Sequence, residues 1–316
     1  MPEAIPVSRT PSLSVGFAGT LLAVAEGPGF TLWRATPSCE RGGRLLAGCR
    51  LGRSGVVGDG VNWLAFDHTG SLIATGAFNG EVELWRVSNP REPRLAKVLV
   101  KEPDSINALA FSPQEELLAV GGKNGTIELW DVRNPDAPAR VTTIPAAHGG
   151  QPVDALAFSP DGRLLASGGE DQQVIFWRVQ ATEGLKEITN SSQSNSILAV
   201  AFSPDGRTLA AGDGDGSTCL YDVRTLQSLG SPDCLLGHGA GTINATRFTP
   251  DSRWLLSAGR GNPVVGWSSI LWSNSGRALK AAVCSFRLPA LTPSQWSSAF
   301  YGTSLAHRSP RATCGG

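Results

Sequence analysis

Chemistry in this chain would have to be assembled from few parts. Histidine occurs four times, at His68, His148, His238 and His307, which limits general-base and metal-ligand proposals from the outset. No Gly-x-Ser-x-Gly nucleophile elbow, His-Glu-x-x-His helix or phosphate-binding loop is present. Gly212-Asp-Gly-Asp-Gly216 sets two carboxylates two residues apart, as a calcium loop would, but the other ligands of such a loop are missing and a plain turn is expected. Six cysteines, Cys39, Cys49, Cys219, Cys234, Cys284 and Cys314, form no Cys-x-x-Cys pair and have no histidine at ligand spacing, so neither a metal site nor a disulfide framework is expected. Lysine and arginine alternate through residues 86–101, which reads as a solvated outer strand rather than a nucleic-acid stripe. The chain is therefore expected to be no enzyme and to carry neither cofactor nor metal.

These residues sit in a repeat. Aligning the chain on itself at a period of about 40–50 residues brings out a recurring unit. Its first part reads Val61-Asn-Trp-Leu-Ala-Phe66, Ile106-Asn-Ala-Leu-Ala-Phe111, Val153-Asp-Ala-Leu-Ala-Phe158, Ile197-Leu-Ala-Val-Ala-Phe202 and Ile243-Asn-Ala-Thr-Arg-Phe248, with a weaker copy ending at Phe17. A small-residue strand follows, as in Leu164-Leu-Ala-Ser-Gly-Gly169, and a third strand ends in an aromatic at Trp33, Trp85, Trp130, Trp177, Tyr221 and Trp267. A short apolar run such as Arg94-Leu-Ala-Lys-Val-Leu-Val100 supplies a fourth. The composition agrees: 38 Gly, 21 Pro and a single Met in a chain that is 41% hydrophobic suit many short strands and tight turns better than long helices.

Strands of five or six residues that mix alternation with fully apolar stretches leave a four-stranded sheet with two faces to bury. Six such sheets packed face to face around an axis bury both. Asn79-Gly80 and Asn124-Gly125 predict tight turns between second and third strands, and Phe158-Ser-Pro-Asp-Gly and Phe202-Ser-Pro-Asp-Gly predict turns between first and second.

Gly237-His238, Phe-Ser-Pro-Asp-Gly, Leu-Ala-Ser-Gly-Gly and Leu129-Trp-Asp-Val132, in order and at this period, resemble the WD-repeat propellers over residues 13–267. The Asn-Pro-x-x-Pro connectors at 89–93 and 134–138 look like those of bacterial WD-repeat chains. The resemblance implies an all-β propeller of about six four-stranded blades, or an incomplete seven-bladed one, spanning 13–286 after an extension at 1–12. It also implies a hydrogen-bonded set that knits each blade, for which His148, Ser167, Asp171 and Trp177 are the full complement. Elsewhere the set is depleted. Thr75, Asn79 and Trp85 lack the His; Val120 and Asn124 stand in for Ser and Asp beside Trp130; Ala211, Asp215 and Tyr221 miss one member; and His238, Ser257 and Trp267 meet Gly261 in place of Asp. The blade of Trp177 is accordingly expected to be the most stable.

In such a propeller, residues at the start of the first strand and in the turn after the second share one rim of the central channel. The first set is Asn62, Asn107, Asp154, Leu198 and Asn244; the second is Phe78, Lys123, Glu170 and Arg260. Phe78 has the character of an interface anchor, since a large aromatic in an exposed turn serves no folding purpose there. The expected function is a non-catalytic scaffold or sensor that docks protein partners on this rim in signalling or complex assembly. A lactonase-like propeller hydrolase with a channel metal is the competing class, and Asp154, Glu170 and the rim Asn residues are all it would have to work with.

The repeat stops at Trp267. All 27 acidic residues lie at or before Asp251, whereas 7 of the 27 basic residues follow it, so the end of the chain differs in kind. Beyond Trp267 the sequence allows a fourth strand near Ala278–Phe286 with an irregular Ser-rich tail at 287–316, a segment from an altered reading frame or splice that would leave a truncated product without independent function, or a seventh blade. A propeller short of a blade would expose sheet edges and self-associate. The opening residues lack a secretory pattern, and no apolar run approaches a membrane span of about 20 residues, which points to the cytoplasm and to neither membrane nor nucleic acid as partner.

Overall fold

The computed structural model describes residues 14–41, 44–45, 49–180, 182–228, 234–236, 241–259 and 262–268. Arg260, Gly261, His238, His307 and everything proposed for 269–316 lie outside these residues. Among the described residues the chain is almost wholly β, with one short turn of 3-10 helix at Pro37–Cys39 and no helix long and apolar enough to cross a membrane.

Among the described residues six antiparallel blade sheets follow one another along the chain, with a small two-stranded sheet, Glu40–Arg41 and Arg44–Leu45, inserted in the first. From the axis outward, the first blade is Val15–Ala18, Leu21–Glu26, Gly29–Arg34 and Arg50–Arg53, and the second is Val61–Phe66, Leu72–Ala77, Glu81–Arg86 and Arg94–Lys101. The third is Ile106–Phe111, Leu117–Gly122, Ile127–Asp131 and Ala139–Ile144; the fourth is Val153–Phe158, Leu164–Gly169, Gln173–Gln180 and Gly184–Ser192. In the fifth, Ile197–Phe202, Thr208–Asp213 and Ser217–Asp222 are followed by two short pieces, Gln227–Ser228 and Leu235–Leu236, both paired with the third strand. The sixth shows Ile243–Phe248, Trp254–Gly259 and Asn262–Ser268.

The second strand of the middle blades is buried on both faces because sheets stack on either side of it. Small residues there set the spacing. A Cβ added to Gly76 would come within 2.5 Å of Ile106 Cγ2, and the same clash recurs for Gly121 with Val153 (2.9 Å), Gly168 with Ile197 (2.4 Å) and Gly212 with Ile243 (2.4 Å). The first β-branched residue of each blade thus sits in a slot that glycine leaves open in the preceding blade. Phe30 meets Trp85 edge to face, and Phe176 meets Tyr221 likewise, so aromatic contacts also cross blade boundaries. The sixth blade packs Leu255 and Trp267 against Ala210 and Leu220 of the fifth, while Trp254, Leu256 and Val264 on its other face are exposed.

Two expectations need correction. The cysteines do pair: Cys39 is bonded to Cys49 and Cys219 to Cys234. Both pairs are cross-strand or cross-loop contacts within a blade, a proximity that motif spacing does not encode. The Asn-Gly turns also differ in detail, because Gly80 and Gly125 take positive φ while Asn79 and Asn124 do not. Gly80 N–H donates to the Ala77 carbonyl (3.2 Å), and Phe78–Gly80 form a three-residue loop ending on the left-handed glycine, where an Asn-Gly hairpin with positive φ at both residues would have two.

Candidate functional site

One backbone hydrogen bond brings the two rim sets together. The N–H of the turn residue after the second strand donates to the residue just before the first: Phe78 to Gly60 (3.3 Å), Lys123 to Ser105 (2.9 Å), Glu170 to Pro152 (3.1 Å) and Gly214 to Ser196 (3.0 Å). Because this contact repeats blade by blade, the start of each first strand and the turn beside it lie on the same end of the propeller. Gly214 is the fifth blade's counterpart of Phe78, a position the sequence left unassigned.

The side chains of the first set are linked across three blades. Asn62 Nδ2 donates to the Ile106 carbonyl (2.8 Å) and lies 3.4 Å from Asn107 Oδ1, which also accepts the Ser105 hydroxyl (2.9 Å). Asn107 Nδ2 donates to Asp154 Oδ1 (2.8 Å). Each amide is oriented by the one before it, and the row ends on a carboxylate. Asp154 Oδ2 is buried with no hydrogen-bond partner. Burial raises the Asp154 carboxyl above its ordinary value, and the Glu170 carboxylate adds to this, while the Asn107 hydrogen bond and His148 work against it. Leu198 interrupts the row in the fifth blade. In the sixth, Asn244 is exposed and accepts the Thr242 hydroxyl (2.8 Å).

Around this row stand Phe78, Lys123 and Glu170, all exposed. The Phe78 ring edge lies beside Gly60, yet 44% of the residue remains accessible. An exposed aromatic, a cation and an anion thus surround a polar row fixed by hydrogen bonds. Such a surface can recognise a partner by shape and by paired polar groups.

The knitting set of the fourth blade is complete. Trp177 Nε1 donates to Ser167 Oγ (2.8 Å), Ser167 Oγ lies 2.7 Å from His148 Nε2, and His148 Nδ1 lies 2.7 Å from Asp171 Oδ1. The Asp171 carboxylate can only accept and so takes Nδ1–H, which leaves Nε2 to accept the Ser167 hydroxyl proton while Ser167 Oγ accepts the indole N–H. Ser, His and Asp are thereby in the order of a hydrolytic triad. They do not work as one, because Ser167 is 0% exposed and its oxygen is occupied by Trp177.

Where the set is depleted, other residues take over that motif matching misses. In the third blade Val120 offers no hydroxyl, and Glu128 accepts Trp130 Nε1 (2.9 Å) together with Arg140 Nη1 (2.9 Å) and the Thr143 hydroxyl (3.3 Å). In place of His148 and Asp171, the other blades use Asp59 with the Asn79 N–H (2.8 Å), Glu102 with Asn124 Nδ2 (3.1 Å), and Asn195 Nδ2 with Asp215 (2.7 Å). Tyr221 pairs with Gln193, and its hydroxyl is pushed up to about 12, first by burial. Trp85 and Trp267 keep their hydroxyl partners, Thr75 (3.2 Å) and Ser257 (2.9 Å). Trp33 Nε1 is buried without a partner, because Val24 occupies the position that the hydroxyl residue holds in those blades.

The Gly212–Gly216 segment is the plain turn expected: Asp213 Oδ1 accepts the N–H groups of Asp215 (3.0 Å) and Ser217 (2.8 Å). Among the described residues no group of three or more His, Cys, Asp or Glu is placed to hold a metal ion.

Comparisons with known proteins agree on the architecture. Residues 89–260 match the family model described as "Nucleolar protein 10-like, N-terminal domain", and residues 54–86 match "WD domain, G-beta repeat". Among solved structures the chain is similar to one described as "Crystal Structure of Mitotic Checkpoint Complex", with 20% identity, a TM-score of 0.68, and coverage of 85% of this chain and 80% of that one. At that identity the likeness is one of fold. No curated protein matches.

Proposed function

Since the chain belongs to the nucleolar protein 10-like, N-terminal domain family of β-propellers, we propose that it is a non-catalytic scaffold whose rim docks protein partners during signalling or complex assembly. The observation that carries this reading is the ordered row Asn62–Asn107–Asp154 with exposed Phe78, Lys123 and Glu170 around it. Phe78 supplies an apolar anchor, and the amides and carboxylate give the polar specificity that surrounds a buried contact. Leu198 and Asn244 extend the proposed surface.

The test is affinity capture with the intact chain and with the double variant Phe78→Ala/Lys123→Glu, read by mass spectrometry. Loss of specific partners by the variant, at unchanged melting temperature, is the expected result. Equal recovery by both chains rejects this rim. The cytoplasm is the proposed location, and imaging of a tagged chain checks it; accumulation in a nucleolus would instead follow the family's name.

A further inference from the structure

The outer strands of the second, third and fourth blades run eight, six and nine residues and contain no cysteine. In the fifth blade the described residues of the outer edge are Gln227–Ser228 and Leu235–Leu236, and a disulfide lies beside the second pair. Ser217 pairs with Leu236 and Thr218 with Leu235, so the next step of the same register sets Cys219 opposite Cys234. Their Cα atoms are 4.2 Å apart. The bond therefore continues this ladder by one step.

Gln193 stands beside this pair in a way that the oxidised state does not require. Its Oε1 is 3.0 Å from Cys219 Sγ and 3.7 Å from Cys234 Sγ, while its Nε2 donates to the Tyr221 hydroxyl. A disulfide has no proton to give that oxygen, but two thiols do. The buried site thus holds an acceptor for the reduced form and a covalent bond for the oxidised one. Cys219 is 1% exposed and Cys234 is half-buried, so Cys234 is the more accessible residue of the pair.

We propose that Cys219 and Cys234 form a reversible thiol–disulfide switch that fastens Leu235–Leu236 to the third strand of the fifth blade, with Gln193 as the acceptor of the reduced state. The co-reactant is a small thiol of the glutathione class. Its thiolate attacks Cys234 Sγ, the bond to Cys219 breaks, and the electron pair leaves on Cys219 Sγ, which takes up a proton. A second glutathione thiolate displaces Cys234 from the mixed disulfide, yielding glutathione disulfide and a second protein thiol. Two electrons pass to the protein, and the reverse sequence reoxidises it.

The experiment equilibrates the full chain in buffers of graded glutathione to glutathione-disulfide ratio, approached from both directions. Differential alkylation with peptide mapping then reports pairing, and hydrogen exchange reports the outer edge. The expected result is a single reversible Cys219–Cys234 transition, with exchange over Leu235–Leu236 about tenfold faster in the reduced chain and no change in Ile106–Phe111. Gln193→Leu should let the disulfide persist to about threefold higher reduced glutathione, with Cys39–Cys49 unaffected. Failure to close under oxidising conditions, pairing with another cysteine, unchanged exchange on reduction, or a Gln193→Leu effect that is absent or shared equally by Cys39–Cys49 would overturn it.

Discussion

Beneath the third-strand aromatics the buried hydrogen bonds differ in number. Ser167 makes two, accepting Trp177 Nε1–H and donating to His148 Nε2, so Ser167→Ala leaves both ring nitrogens unpaired in a dry site and should cost about 2 kcal/mol in denaturant unfolding, against about 1 for Thr75→Val, where a single bond at 3.2 Å is lost. Equal losses would mean that His148 contributes nothing to the set. Glu83 presents the opposite case. It is buried and its Oε2 has no partner; burial, then Glu81, raises its carboxyl above the ordinary 4.5, while the Trp85 hydrogen bond opposes this. An acid raised in this way binds its proton more tightly folded than unfolded, so its ionised form weakens the fold above the folded value and the penalty fades as pH falls toward 4.5. Glu83→Gln should therefore raise the melting temperature at pH 7–8 and show little gain near pH 4; a uniform gain would assign the effect to packing. Much at this scale was legible, including His148, Ser167, Asp171 and Trp177, since all four lie at fixed motif positions. Glu128 and the Asp59, Glu102 and Asn195 ties were not. Their roles depend on what a neighbouring strand lacks, or come from incoming loops of variable length.

At the scale of elements, turns follow their glycines closely. Gly80, Gly125 and Gly216 close the turn after the second strand with φ of 82°, 78° and 84°, and in the fourth blade the same place is held by Gln172 at 67°. A side chain there is strained, so Gln172→Gly should stabilise the chain by about 0.5–1 kcal/mol in chemical denaturation. A loss would show that the exposed Gln172 side chain makes a contact that outweighs the strain. The Ser-Pro-Asp-Gly turns were readable because their chemistry is local: Ser159 Oγ donates to Asp161 (2.6 Å) and accepts the Leu164 N–H (2.9 Å) within six residues of chain. Outer strands were harder to place: Arg50–Arg53 and, in the fifth blade, Gln227–Ser228 and Leu235–Leu236 carry too few apolar positions to show a period. The Asn-Pro-x-x-Pro connectors also reach backward, with Arg86 of the second blade ion-paired to Asp136 of the next connector (2.7 Å). That surface pair is exposed and adds little to stability.

For the whole molecule, the repeat period and its aromatics disclosed the number of sheets and their order, because each sheet has two apolar faces and only another sheet can cover them. The glycine slots explain why the second strand is small: the reason lies in the neighbouring blade and could not be read from one repeat alone. Trp254, Leu256 and Val264 on the far face of the sixth blade show what such a face looks like without a described neighbour. The proposed docking rim depends on this stacking, since Asn62, Asn107 and Asp154 come from three different blades. A double-mutant cycle across one junction tests the stacking most directly. Gly168→Ala adds a Cβ that meets Ile197 Cγ2 at 2.4 Å and Ile197 Cβ at 2.8 Å, and Ile197→Gly removes both atoms. The account predicts that Gly168→Ala costs about 1–3 kcal/mol alone and much less beside Ile197→Gly, a coupling well above the roughly 0.5 kcal/mol of independent sites. Additive effects of the two substitutions would contradict face-to-face packing of the fourth and fifth blades.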